Sequence, residues 1–180
     1  MRSEEKMVPL NFGKVGVFID GENIRNALET SGWKPNYEKL LQWIAQKTKC
    51  SIVKPFFYIK EEEDPSDPKK GFIKKLKALE VTIRNVPISQ KFIQRSLINI
   101  CDADPLIITD MIDWKNDYDK VVLISGDGAF AIPLQRLWEH GKKIYVVSTN
   151  QSVSGKLENN PNFNFIDLND IRDTIELTFL

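Results

Sequence analysis

Short apolar runs alternate along this chain with segments whose apolar residues recur every three or four positions. Two runs, 15–19 and 121–124, are rich in Val, Ile, Leu and Phe and predict strands buried on both faces. The recurring pattern predicts amphipathic helices between the runs. The predicted strands are 15–19, 52–59, 81–88, 121–124, 144–147 and 163–166, and the predicted helices are 24–29, 37–47, 69–79, 104–114, 131–139 and 168–177.

This alternation of strands and helices predicts an α/β fold of three layers, in which a mostly parallel central sheet has helices on both faces. The length of 180 residues suits one domain, which we place at 14–180 after an N-terminal extension at 1–13. Ligands of such sheets bind at the carboxyl ends of the strands, near the point where the strand order reverses. The residues after each buried strand are therefore the first candidates for function.

Aspartates follow both of the clearest buried strands, and each is followed by glycine, which permits a sharp turn. These are Asp20 and Asp127. Asp104 precedes Pro105 and is predicted to be the N-cap of a helix that also contains Asp110. Each aspartate also has a plainer interpretation, as a turn former or helix cap, or as an exposed helix residue in the case of Asp110. The combination favours a shared acidic site.

Carboxylates that meet at one point repel one another unless a cation is bound between them. With one histidine and two cysteines, the chain cannot form a Cys/His zinc site, so oxygen ligands and a hard cation such as Mg²⁺ or Mn²⁺ are expected. Such a cation can activate water and stabilise a transferring phosphoryl group. We expect Asn23 to contribute a neutral oxygen or to orient Asp20.

Several other chemistries lack their motifs. The chain contains neither a Gly-rich phosphate loop nor a dinucleotide fingerprint, so no nucleotide cofactor is expected. It has no nucleophile elbow, His140 is expected to be structural or solvent-facing, and Cys101 is expected to be a small buried residue. No apolar segment approaches the length of about 20 residues that spans a bilayer, and no signal peptide is apparent, so the cytoplasm is the expected location.

The formal net charge is zero, which excludes a protein that holds nucleic acid by bulk charge but allows a local basic patch. A lysine-rich helix offers either a surface for phosphates or a solvated face paired with the acidic loop before it. A second basic segment surrounds Phe92, which is expected to stack on a base or to pack in the core. The candidate RNA contacts are Lys69, Lys70, Lys74, Lys91 and Arg95.

Three segments in order resemble the motifs of NYN domains, in particular the LabA-like branch within the PIN-like nuclease superfamily. Residues 17–23 resemble the opening Asp-Gly-x-Asn signature, 104–110 the middle motif with two aspartates six positions apart, and 122–130 the Ser-Gly-Asp-Ser-Asp-Phe motif. The similarity covers about residues 14 to 170. It implies a PIN-like Rossmannoid fold and an endoribonuclease dependent on Mg²⁺ or Mn²⁺, with RNA as partner. The residues implied as catalytic are Asp20, Asp104, Asp110 and Asp127, those as supporting are Asn23 and Ser125, and those as metal ligands are Asp20, Asp104 and Asp127.

Two departures from the family pattern leave a second hypothesis open. Ala129 stands where the family has its second aspartate, and Ile98, Asn99 and Ile100 stand where the family often has a lysine. Asp102 is a candidate replacement for the missing charge. The alternative function is a catalytically weak or inactive RNA-binding or regulatory module. The apolar C-terminal residues Ile175, Leu177, Phe179 and Leu180 suggest a homodimer contact or packing on the chain's own sheet.

Overall fold

A computed structural model describes residues 13–60, 69–93 and 96–178. Six strands form one sheet in which every neighbouring pair is parallel, and two further strands form an antiparallel hairpin. The strands are β1 (Lys14–Asp20), β2 (Ile52–Lys60), β3 (Thr82–Val86), β4 (Ser89–Ile93), β5 (Ser96–Ile100), β6 (Lys120–Ile124), β7 (Lys143–Ser148) and β8 (Phe163–Asp167). The helices are α1 (Gly21–Ser31), α2 (Tyr37–Thr48), α3 (Lys69–Ala78), α4 (Asp104–Asp113), α5 (Ala131–Glu139), α6 (Gly155–Glu158) and α7 (Arg172–Ile175).

The strand order of the large sheet is β3-β2-β1-β6-β7-β8, so the direction of chain progression reverses between β1 and β6. Their register places Ile19 beside Ile124. The loop after β1 and the loop after β6 therefore begin side by side at the carboxyl edge. This is the switch point, where open parallel sheets bind their ligands.

Apolar residues cover both faces of the sheet. In β1 the side chains alternate, so that Val15, Val17 and Ile19 join one buried cluster and Phe18 joins the other. Helices α1 and α2 pack on the first cluster, through residues such as Ile24 and Leu40. Helices α4 and α5 pack on the second, through Ile107, Met111, Leu134 and Leu137. The predicted three-layer α/β fold is confirmed, because helices pack on apolar residues at both faces of the sheet.

The structure differs from the predicted elements in three places, one of which is the short helix α6 (Gly155–Glu158), which was not predicted. The β4–β5 hairpin was not predicted, since the segment contains no clear turn signal and its pairing is antiparallel outside the main sheet. The predicted closing helix over 168–177 is a 3-10 turn, Leu168–Ile171, followed by α7, which ends at Ile175. It ends there because Asn36 N donates to Ile175 O at 2.7 Å and Leu177 N donates to Lys34 O at 2.8 Å. These bonds draw the chain into an extended conformation.

Of the C-terminal apolar residues that the structure describes, Ile175 packs on the chain's own core and Leu177 is exposed. Ile175 is completely buried in the first cluster, and Leu177 is 37% exposed. Phe179 and Leu180 lie outside the described residues. Packing on the chain's own core accounts for Ile175, and a homodimer stays a prediction. Within the described part of the chain, no helix has the length and apolar character needed to cross a membrane.

Candidate functional site

The loop after β1 is built around Asp20, whose carboxylate caps α1. Asp20 Oδ1 accepts a hydrogen bond from Asn23 N at 3.1 Å, and the residue is only 6% exposed. Glycine is required at position 21, because a Cβ there would lie 2.4 Å from Cε1 of Phe57 and 2.6 Å from the carbonyl oxygen of Tyr58. The close approach of β2 thus fixes the turn that presents Asp20 at the carboxyl edge of the sheet.

Two hydrogen bonds join the loop after β6 to the loop after β1, and a third orders the loop after β6 itself. Ser125 Oγ donates to Asp20 Oδ2 at 3.3 Å, and Gly126 N donates to Asn23 Oδ1 at 3.0 Å. Ser125 Oγ also accepts from Asp127 N at 3.3 Å. Asn23 and Ser125 therefore hold the loop after β1 and the loop after β6 against each other. Both residues are predicted from the sequence to support the site.

Asp127 begins a 3-10 turn over Gly128–Phe130 at the exposed rim of the site. Its Oδ1 accepts a hydrogen bond from Ala129 N at 2.8 Å. The loop that follows β7 crosses immediately beside this turn, since a Cβ on Gly126 would lie 2.4 Å from Ser152 O. Asp127 consequently faces solvent while its backbone is packed from behind.

The prediction that Asp104 is the N-cap of α4 is wrong. The cap position is Ala103, and Asp104 is the first residue of the helix. Its backbone N–H donates to Asp102 Oδ1 at 3.1 Å, so the earlier aspartate supplies the acceptor that the sequence assigns to Asp104. The carboxylate of Asp104 makes no capping hydrogen bond and remains available for another role.

Asp20 and Asp127 lie close enough to Asp104 for their negative charges to act on its carboxylate. Burial raises the pKa of Asp104 to about 6, and the negative charges of Asp127, Asp20 and Asp102 add to this rise. Burial also raises the pKa of Asp20, although the hydrogen bonds from Asn23 and Ser125 oppose that effect. Both residues favour the protonated form more than an exposed aspartate does, mainly because burial penalises the charged carboxylate, and at Asp104 the neighbouring aspartates add to this effect.

Asp110 lies in a different environment from the other three aspartates. It is 4% exposed, so its interpretation as an exposed helix residue is wrong. Its Oδ2 accepts from Arg84 Nε and from the Tyr58 hydroxyl, both at 2.8 Å, and its Oδ1 accepts from Arg84 Nη2 at 2.9 Å. Arg84 also stacks over the ring of Trp114 at 5.3 Å. These partners tie α4 to β2 and β3 and occupy both oxygens of Asp110, so we do not include it among the metal ligands.

Sequence reasoning missed the residues that pair with Asp110. Tyr58 and Arg84 lie in the predicted strands over 52–59 and 81–88, where nothing local distinguishes them from surface residues. Burial, together with the hydrogen bond to Asp110 and its negative charge, raises the pKa of Tyr58 far above its usual range and keeps it a donor. A buried carboxylate needs hydrogen-bond donors. If Asp110 had been predicted to be buried, donors on the strands packed against its helix would have been expected.

The donor chemistry of the site suits a hard divalent cation. Asp20, Asp104 and Asp127 offer carboxylate oxygens, and Asn23 offers an amide oxygen that is already bonded to Gly126 N. Among the described side chains, however, no three His, Cys, Asp or Glu residues converge closely enough to form a finished metal site. The residue types suit a divalent cation, but the carboxylates of Asp20, Asp104 and Asp127 would have to come closer together to bind it.

The basic candidates are only partly described. Lys70, Lys74, Lys75 and Lys77 are exposed on α3. The opposite face of α3 places Phe72 against Phe57, with ring centroids 5.5 Å apart, and Phe57 in turn packs beside Gly21. The ring of Phe57 thus lies between Phe72 of α3 and Gly21 in the loop after β1. The side chains of Lys69, Lys91 and Phe92, and the whole of Arg95, lie outside the described residues.

His140 faces solvent, which is one of its two expected placements, whereas Cys101, which was expected to be buried, is only partly so. His140 is exposed at the end of α5, which Gly141 closes with a φ of +80°. Cys50 is buried and Cys101 is half-buried. Burial and the nearby charge of Glu22 raise the pKa of the Cys101 thiol, which makes it a poor nucleophile.

Comparisons with known proteins agree with this architecture. Residues 14–169 match the profile of the NYN domain family. The chain is 31% identical over 173 residues to the low amplitude and bright protein LabA of Synechococcus elongatus. The match covers 92% of this chain and 89% of that protein. A crystal structure of a protein of unknown function from Vibrio parahaemolyticus has the same fold, with a TM-score of 0.74 at 23% identity, over 98% of this chain and all of that one.

Proposed function

This chain belongs to the NYN domain family, and on that premise we propose that it is a metal-dependent endoribonuclease that hydrolyses RNA phosphodiester bonds. Family membership supports a nuclease-like or RNA-related domain. The observation that supports the finer assignment is the pair of hydrogen bonds that joins the loops carrying Asp20 and Asp127 at the switch point, beside Asp104, whose pKa burial and the charges of Asp127 and Asp20 raise. Negative charges brought together at a switch point are stabilised by a divalent cation.

In this proposal Asp20, Asp104 and Asp127 hold Mg²⁺ or Mn²⁺. A bound divalent cation stabilises charge on the phosphoryl group and makes an attacking water more acidic. Asn23 and Ser125 fix the carboxylate of Asp20 through their hydrogen bonds to the two loops. In the metal-free protein the pKa of Asp104 is about 6, so its carboxylate is ionised at neutral pH and is available as a ligand.

We assign Asp110 a positioning role in the same reaction. Its bonds to Arg84 and Tyr58 anchor the middle of α4 to the sheet, and α4 begins with Asp104. A displaced α4 would move Asp104 away from Asp20. The exposed lysines of α3, with Lys69, Lys91 and Arg95, are the proposed RNA contacts, because Phe72 of α3 packs on Phe57, which in turn lies beside Gly21 in the loop after β1.

The direct test is cleavage of a labelled RNA with Mn²⁺, Mg²⁺ or EDTA. Wild type is compared with Asp20→Asn and Asp104→Asn. Asp113→Asn is the matched control, since Asp113 is exposed at the other end of α4. We expect cleavage that requires the cation, is lost in the two site variants and persists in the control. Unchanged cleavage by a folded, highly purified Asp20→Asn protein would show that the site assignment is wrong.

Ala129 favours a second candidate function, an RNA-binding or regulatory module with little or no catalysis. The exposed methyl group of Ala129 adds no ligand to the site, and the described carboxylates do not form a finished metal centre. If wild-type protein binds RNA but cleaves none with either cation, this candidate replaces the nuclease. The same cleavage assay, followed by a binding measurement, separates the two.

A further inference from the structure

Lys156 lies directly beside the acidic loop after β6, although it is far from that loop in sequence. A Cβ built on Gly128 would be 3.6 Å from Cδ of Lys156 and 2.6 Å from Oγ of Ser154. The absence of a side chain at Gly128 therefore makes room for Ser154, and the stem of Lys156 passes within van der Waals distance of the same turn after Asp127. No pattern in the sequence predicts this contact, because it depends on how the loop after β7 folds back.

Hydrogen bonds hold the Lys156 segment in this place. Ser154 N donates to Gly126 O at 2.8 Å, which ties the start of α6 to the loop that contains Asp127. Ser154 Oγ accepts from Lys156 N at 3.4 Å. Leu157, the next residue, is completely buried in the second core cluster. The backbone of Lys156 is thus fixed on both sides while its side chain stays exposed.

The ammonium group of Lys156 has no hydrogen bond or ion pair with any side chain that the structure describes. By contrast, Arg25, Arg84, Arg136 and Arg172 each pair with a carboxylate. Ala129, on the same turn as Gly128, has no charged group that could pair with the Lys156 ammonium. Among the described residues, the Lys156 ammonium group therefore has no ion-pair partner, and Lys156 lies beside the loop that carries the Asp127 carboxylate.

We propose that Lys156 contacts a backbone phosphate of bound RNA next to the bond that is cleaved, an inference that rests on the proposed function. A polyanion that approaches three carboxylates is repelled, and a cation on the rim offsets that repulsion. Lysine binds phosphate as a compact point charge and reads no base. Lys156 therefore contributes affinity without sequence preference, at a position none of the lysines on α3 occupies.

The test measures RNA binding over a series of salt concentrations. Fluorescein-labelled oligouridine and oligoadenosine are titrated in EDTA, which prevents cleavage, with wild type, Lys156→Ala and Lys156→Arg. Lys143→Ala is the matched control, because Lys143 is an exposed lysine at the amino end of β7, on the opposite edge of the same sheet. Loss of one phosphate contact on a single strand reduces the slope of log affinity against log salt by about 0.7.

For Lys156→Ala we expect affinity for both oligonucleotides to fall equally, by about threefold to tenfold at moderate salt, with the reduced slope. Lys156→Arg and Lys143→Ala should bind like wild type. A wild-type affinity and slope for Lys156→Ala, in a protein that binds and cleaves RNA, would overturn the inference and leave the proposed function standing. A wild-type protein that neither binds nor cleaves either RNA would overturn both.

Discussion

Replacing Asp104 with Asn should make the metal-free protein more stable while removing its proposed activity. Asp104 is partly buried near Asp20 and Asp127, and its pKa is raised to about 6 from 3.8. The folded protein therefore favours the protonated carboxyl more than the unfolded chain does. Asn resembles that neutral form in shape and carries no charge, so it relieves the repulsion.

The expected size follows from the pKa. A rise from 3.8 to about 6 corresponds to about 3 kcal/mol in a fully shielded group, at about 1.4 kcal/mol for each pKa unit. Asp104 is partly exposed, and solvent screening reduces the figure to about 1–2 kcal/mol. A carboxylate in the first turn of α4 also has a favourable interaction with the helix dipole of about 0.5 kcal/mol, which Asn loses. The net gain is about 1 kcal/mol.

Thermal unfolding followed by circular dichroism in EDTA measures this gain. For a chain of this size, about 1 kcal/mol raises Tm by about 2–4 °C. Because the folded-state pKa is raised, the penalty of Asp104 is complete above pH 6 and disappears as the pH falls toward 3.8. The Tm difference between variant and wild type should therefore be largest at alkaline pH and should shrink on acidification.

Two comparisons complete the design. Asp113→Asn should leave Tm unchanged, and Mn²⁺ should raise the Tm of wild type but not of Asp104→Asn. A variant that melts at or below the wild-type temperature at alkaline pH would refute the reasoning, because Asp104 would then not be destabilised by its neighbours. A difference that persists unchanged at low pH would refute it as well.

Two further substitutions test the surroundings of the site. Arg84→Ala leaves the buried Asp110 carboxylate with Tyr58 as its remaining hydrogen-bond donor, and should cost about 2–4 kcal/mol in urea unfolding. Adding Asp110→Asn should restore part of that loss, and a cost below about 0.5 kcal/mol would contradict the anchoring role. Ala129→Asp adds a carboxylate beside Asp127 and should lower the Mn²⁺ concentration for half-maximal cleavage several-fold. An unchanged metal titration would show that position 129 does not face the cation.

Local pattern was enough to place most elements of the fold. The run before Asp20 and the run before Asp127 are each continuous in apolar residues, because both strands are central and are covered on two faces. Their aspartates and glycines follow at once, so the carboxyl edge could be named as the site from the sequence. The family motifs at 17–23, 104–110 and 122–130 pointed to the same residues.

The partners of these residues could not be predicted from local pattern. Periodicity reports which side of an element is buried, but it does not report which distant group lies opposite. Asp110 receives Arg84 from 26 residues earlier and Tyr58 from 52 residues earlier, across two strands. The same limit applies to Asp104, whose expected cap role passed to Asp102 only because of how the chain enters α4.

The sequence by itself determined the alternation of strands and helices, the buried central strands and the acidic residues that follow them. Hydrophobic periodicity and turn chemistry act between near neighbours and can be recognised in the sequence. Only the tertiary structure decided that β1 and β6 are adjacent, that Asp110 is paired with Arg84 while Asp102 caps α4, and that Lys156 lies beside Gly128. Those outcomes depend on strand order and on close packing between segments far apart in the chain.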